Sequence, residues 1–229
     1  MSNYAKSFPR RNLLGNRDKF LIKESVGLKT IHFGCTDWPN QENQIQNRQL
    51  LHIKLLKETP EIIGVDVDVL GIEHLLSHFP NQIFICGDIA SSDAVAQEIV
   101  ASLPKLILVP DVLEHIENQR DFLESLRKIL HKTSAKAIIT TPNAFALKTF
   151  LPLFIGKDFT HIDHCLLHNE FTLEHALTDA GFSKFSINYL SRDISGRYGF
   201  IAELFSQPLN LLSKKFPRFA DTLVAVIES

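Results

Sequence analysis

Cysteine is scarce. The chain has three in 229 residues, namely Cys35, Cys86 and Cys165, and none has the paired spacing of a zinc-ligand set. An odd, dispersed set argues against a disulfide framework and for free thiols in a reducing compartment. Excess charge of one sign is missing too. Twenty-four Lys and Arg stand against 26 Asp and Glu, a formal charge of −2, so there is no clustered-cation footprint for nucleic acid. The short basic pairs Arg10-Arg11 and Lys214-Lys215 read as solvated surface. No apolar run reaches the length needed to span a bilayer. The opening Met-Ser-Asn-Tyr-Ala-Lys-Ser-Phe-Pro-Arg lacks the apolar core of a secretory leader. Internal repeats and low-complexity tracts are absent. These gaps leave a cytoplasmic protein as the expectation, with no membrane insertion and no nucleic-acid partner. A hydrophobic content of 45% suffices for one substantial core, so 1–229 is read as one domain.

What is present is alternation. Short β-branched runs recur at 29–34, 62–67, 82–86, 106–111, 136–141, 183–190 and 222–228. Between several of them lie stretches with helical spacing. In 118–131, Phe122, Leu123, Leu126, Ile129 and Leu130 form one apolar stripe behind Asn118, a candidate N-cap. Val95, Ile99, Val100 and Leu103 do the same in 91–103. Leu173, Ala176, Leu177 and Ala180 do so in 169–181, with Gly181 placed to end that helix. Seven strands alternating with helices predict an α/β protein with a mostly parallel sheet and helices on both faces. Residues 1–19 read as an N-terminal extension. The amide-rich stretch 37–49 interrupts the first strand-to-helix connection. Residues 142–168 form a longer excursion on the substrate side, where specificity usually resides.

Three apolar runs each deliver an acid at their carboxyl end: Ile62-Ile-Gly-Val-Asp66, Ile83-Phe-Ile-Cys-Gly-Asp88 and Leu106-Ile-Leu-Val-Pro-Asp111. The third continues as Val-Leu-Glu-His115. Open α/β sheets bind ligands at this edge. A carboxylate there offers two acceptor oxygens, which suits a vicinal diol.

The order of these residues resembles the class I S-adenosylmethionine-dependent methyltransferases, in the small-molecule branch with an Asp-x-x-Glu-His segment. The likeness covers about 20–229. Its most specific pieces are Asp111–His115 and the run from His164 through Leu173 and Leu177 to Ala180-Gly181-Phe182. The resemblance implies a Rossmann-like, seven-stranded sheet closed by an antiparallel pair, with S-adenosylmethionine as cofactor. It places Gly34, Cys35 and Thr36 in the first loop, and Asp66 and Val67 at the ribose, with Asp68 the weaker candidate. Asp88 and Ile89 fall at the adenine, and Asp111 and Val112 at the methionine end. His115 and His164 become the candidate catalytic bases for an acceptor hydroxyl.

The first loop departs from the family pattern. In Thr30-Ile-His32-Phe-Gly34-Cys-Thr36-Asp-Trp38, His32 replaces an acid, and Thr36 and Trp38 replace glycines that permit positive φ and close backbone approach. Two readings follow. Either the loop is rebuilt and the protein transfers a methyl group to a small-molecule acceptor, or it is a methyltransferase-like binding or scaffold protein without turnover. A nicotinamide-dependent oxidoreductase fits less well, since its phosphate loop needs the same glycines. His161, His164 and His168, with Asp158 and Asp163 nearby, would share a face on a helix, but the segment reads as loop. No metal is therefore expected.

Overall fold

The short β-branched runs 30–33, 62–66, 106–110 and 136–142 are buried on both faces, as parallel strands sandwiched by helices must be, while the run 83–86 at the sheet edge is partly exposed. The computed structural model describes residues 9–37, 41–59, 61–156, 161–192 and 212–228. In chain order the strands are β1 (Leu13–Asn16), β2 (Thr30–Phe33), β3 (Ile62–Asp66), β4 (Ile83–Cys86), β5 (Leu106–Pro110), β6 (Lys136–Pro142), β7 (Phe185–Ser191) and β8 (Thr222–Ile227). They form one mixed sheet in the order β1-β7-β8-β6-β5-β2-β3-β4. β8 runs antiparallel to both β6 and β7, and the other pairings are parallel.

The sheet has eight strands, not the seven expected. The extra one is β1, Leu-Leu-Gly-Asn, paired with β7. Four residues with a central glycine carry too little alternation to signal a strand.

The helices are α1 (Arg17–Ser25), α2 (Gln41–Gln46), α3 (Leu51–Glu58), α4 (Val69–His78), α5 (Asp93–Ala101), α6 (Gln119–Thr133), α7 (Leu147–Phe150) and α8 (Glu170–Asp179). Alternate strand residues feed two apolar layers. On one face Ile31, Val65, Ile107 and Val109 pack with Ile99 of α5, Phe122 and Leu126 of α6, and Leu173 of α8. On the other, Ile62, Leu106, Leu108 and Ile138 pack with Leu21 of α1 and Leu55 of α3. All five stripe residues of α6 are buried, and Asn118 accepts from the Asp121 amide. Asn169 starts α8 with a reciprocal capping box, while Gly181 takes φ +87° just beyond its end. No helix among the described residues is long and apolar enough to cross a membrane.

Candidate functional site

Parallel pairing in register brings the carboxyl ends of β2, β3, β4 and β5 to one rim. Gly34 turns the chain off β2 at φ +68°. A Cβ there would lie 2.6 Å from Val112 Cγ2, so only glycine allows the loops after β2 and β5 to meet. Cys35 is buried beneath this turn, and burial pushes its thiol well above the usual range.

Thr36 is held against the rim. Its amide donates to Asp66 Oδ2 at 3.0 Å and its hydroxyl donates to the same oxygen at 2.9 Å. Asp66 Oδ1 accepts from the Asp68 amide at 3.1 Å. The Asp68 side chain in turn caps α4 through the Gly71 amide. Gln41 locks the loop from behind, with Nε2 donating to the carbonyls of both Thr36 and Gly71. A threonine at a position where the resemblance expects glycine is thus part of the rim's polar network. Trp38 lies outside the described residues, as does Asp158. Beside Asp66, Val67 is 67% exposed. Asp88 is half-buried and accepts from the Ala90 amide, while Ile89 is buried in the core.

His32, which stands where the resemblance expects an acid, does not face the rim. Inside β2 it stacks on His52 of α3, with their Nδ1 atoms 3.0 Å apart.

Asp111, at φ +53°, is tied down by three partners. Arg17 Nη2 lies 3.0 Å from Oδ2, Arg192 pairs with the same oxygen, and Thr140 Oγ1 donates to Oδ1 at 3.2 Å. These arginines come from the start of α1 and the end of β7, so the methionine end of the expected site carries two cations that the sequence reading did not place there.

The next turn, Leu113–His115, is a short 3-10 segment. It buries Glu114 to 1% exposure and leaves His115 exposed. Burial raises the Glu114 carboxyl to about 7, although Thr141 Oγ1 donates to its Oε2 at 3.1 Å. Its Oε1 is buried without a hydrogen-bond partner. The excursion after β6 returns to this turn, because the Cys165 amide donates to the Glu114 carbonyl at 2.8 Å. That contact sets His164 beside His115, with ring centroids 4.8 Å apart. Burial, and then the charges of His115 and His161, lower the His164 pKa. Its Nδ1 is also buried without a partner. Glu114, His115 and His164 each offer a ligand atom, all within 4.8 Å of one another.

The three histidines weighed together from their spacing do not converge. His161 sits at the edge of the group, 5.6 Å from the His164 ring and beside Asp163. His168 is buried elsewhere. Its Nε2 donates to Gln119 Oε1 at 2.8 Å, and Gln119 Nε2 donates to the Leu113 carbonyl at 2.7 Å. His168 therefore braces the turn that carries Glu114. The missed signal was Glu114 itself, an acid between two candidate residues, Asp111 and His115.

No protein-family model and no curated protein matches this chain. Solved structures do. A SAM-dependent methyltransferase from Archaeoglobus fulgidus superposes with a TM-score of 0.52 at 15% identity, over 93% of this chain and 95% of that one. The methyltransferase domain of bacterial CtHen1-CN gives 0.55 at 18%, over 92% and 95%. The small RNA methyltransferase HEN1 gives 0.57 at 18%, over 93% of this chain and 25% of the larger protein. With its strand order and the likeness to these structures, the chain has the fold of the S-adenosylmethionine-dependent methyltransferases.

Proposed function

We propose that this protein transfers a methyl group from S-adenosylmethionine to a hydroxyl on a small acceptor. The observation that carries the reading is the convergence of Glu114, His115 and His164 at the rim that also presents Asp66 and Asp88. The donor set suits the cofactor. Asp66 is half-exposed, and its Oδ1 receives only one backbone donor, leaving capacity for a ribose diol. Val67 offers an exposed apolar surface beside it, and Asp88 an acceptor for an exocyclic amine. Arg17 and Arg192 bring cations to the end where a carboxylate would lie. When bound, the sulfonium supplies an activated methyl carbon.

The remaining work belongs to this chain. The acceptor oxygen must be held in line behind the methyl, with an imidazole to take its proton as the carbon–oxygen bond forms and the carbon–sulfur bond breaks. His115 and His164 are placed for that role. Glu114 Oε1 and His164 Nδ1, both buried without partners, also give the group the character of a divalent-cation site. Such an ion would polarise the acceptor hydroxyl.

A second reading is favoured by two of the similar structures, CtHen1-CN and HEN1, the latter a small RNA methyltransferase. In it the hydroxyl belongs to RNA, and the near-neutral net charge argues against it. A third is cofactor binding without turnover, motivated by the Thr36 hydrogen bonds to Asp66.

Calorimetric titration with S-adenosylhomocysteine, on intact protein and Asp66→Ala, tests the reading. Binding lost in the variant, with methyl transfer to hydroxyl acceptors lost in His164→Ala, supports it. Absence of binding to folded protein refutes it. Binding without transfer to any small molecule or RNA selects the non-catalytic reading.

A further inference from the structure

A second cluster of metal-ligating side chains lies away from the rim, on the outside of α4. His74 and His78 stand four residues apart on this helix, so they share one face. Their rings are 4.6 Å apart. Glu42 reaches them from α2, inside the amide-rich stretch, and its Oε2 lies 2.8 Å from His74 Nε2. One ligand atom from each of the three falls within 4.8 Å of the other two.

The surroundings of the three ligands are already arranged for a cation. A metal-bound imidazole usually donates its other ring N–H to a carbonyl, which fixes the tautomer. His78 does this without a metal. Its Nδ1 lies 3.1 Å from the His74 carbonyl and 3.2 Å from Ser77 Oγ. Ser77 Oγ itself donates to the His74 carbonyl at 2.7 Å, so the proton sits on Nδ1 of His78 and the lone pair on Nε2. The Glu42 carboxylate is oriented in the same way, because Gln46 Nε2 donates to Oε1 at 2.6 Å and leaves Oε2 to the histidines.

We infer that Glu42, His74 and His78 form a binding site for a borderline divalent transition metal such as Zn²⁺, with water completing a tetrahedral set. Two imidazoles and one carboxylate match that metal class and not calcium or magnesium, which take oxygen ligands. The site joins α2 to α4 one turn beyond the point where Gln41 bridges Thr36 and Gly71. A bound ion therefore clamps the loop that holds Thr36 against Asp66. This inference does not depend on the methyl-transfer reading.

The test uses the full chain carrying His164→Ala, which disables the rim cluster. Equilibrium dialysis against Zn²⁺ should leave about one tightly bound equivalent, with Co²⁺ giving the visible bands of a tetrahedral site. Adding His78→Asn or Glu42→Gln should weaken Zn²⁺ binding by more than about tenfold. Zn²⁺ should raise the melting temperature of the His164→Ala protein but not of these double variants. Equal Zn²⁺ binding by the His164→Ala protein and both folded double variants overturns the assignment. So does failure of the His164→Ala protein to bind.

Discussion

Acid should destabilise this protein through the imidazoles of His32 and His52. Both are buried, at 1% and 0% exposure. Their rings stack at 5.2 Å and share one hydrogen bond between Nδ1 atoms. One ring donates and the other accepts, so a proton added to the accepting Nδ1 would break the bond. Neither Nε2 has a hydrogen-bond partner in its buried setting. Burial pushes His52 down to about 4, and burial with the neighbouring His52 and Arg17 charges holds His32 well below its ordinary 6.5. Between pH 6.5 and 4 the unfolded chain binds protons that the native state refuses. Stability is therefore complete above 6.5 and falls as the pH drops. For His52 alone the loss reaches roughly 3 kcal/mol near pH 4. The double variant His32→Leu/His52→Leu removes both imidazoles together and leaves no polar orphan. Urea unfolding at pH 7, 6 and 5 should show its stability falling more gently with acid, by more than about 1 kcal/mol per pH unit near pH 5 from His52 alone and further from His32. Parallel pH dependences for wild type and double variant would refute the reasoning.

Glu114 works in the opposite direction. Its carboxyl is raised to about 7 from 4.5, so its contribution is present below pH 4.5 and lost as the pH rises through 7. Glu114→Gln should flatten the alkaline side of the stability profile between pH 5 and 8, measured by urea unfolding. Gly34→Ala should cost about 2–3 kcal/mol, from positive φ and the Val112 contact. Pairing it with Val112→Ala should recover part of the loss, and an additive double variant would contradict the contact. Arg17→Met removes one of the two cations on Asp111. It should destabilise by up to about 3 kcal/mol in thermal unfolding and weaken S-adenosylhomocysteine binding in titration.

The seven expected strands stand within two residues of their predicted ends, because each was a short apolar, β-branched run bounded by polar or turn residues. The rim acids were legible for the same reason, since a strand that stops at Asp66 or Asp111 must present that side chain at the edge. β1 was not legible, because its pairing is supplied by β7 and not by its own pattern. Nor was α1, where Leu21 and Ser25 are the buried residues of a nine-residue helix. At the site, the meeting of His164 with Glu114 depends on backbone hydrogen bonds from Cys165 and Leu166 to the Glu114 carbonyl. Such contacts leave no periodicity in sequence. The role of Asp111 was obscured likewise, because its partners Arg17 and Arg192 come from opposite ends of the chain.

β1 and β7 also set the order in which this molecule can be completed. Arg11 reaches the Ile187 carbonyl across 176 positions of sequence, a separation whose closure entropy must be met before the pairing contributes anything. Until β7 has docked, β1 has no strand neighbour, and Arg192, which directly follows β7, cannot reach Asp111. The Arg192 half of the ionic lock at the rim therefore waits on that docking. A chain emerging from synthesis would carry Arg17 and the rim acids well before Arg192, the second cation on Asp111.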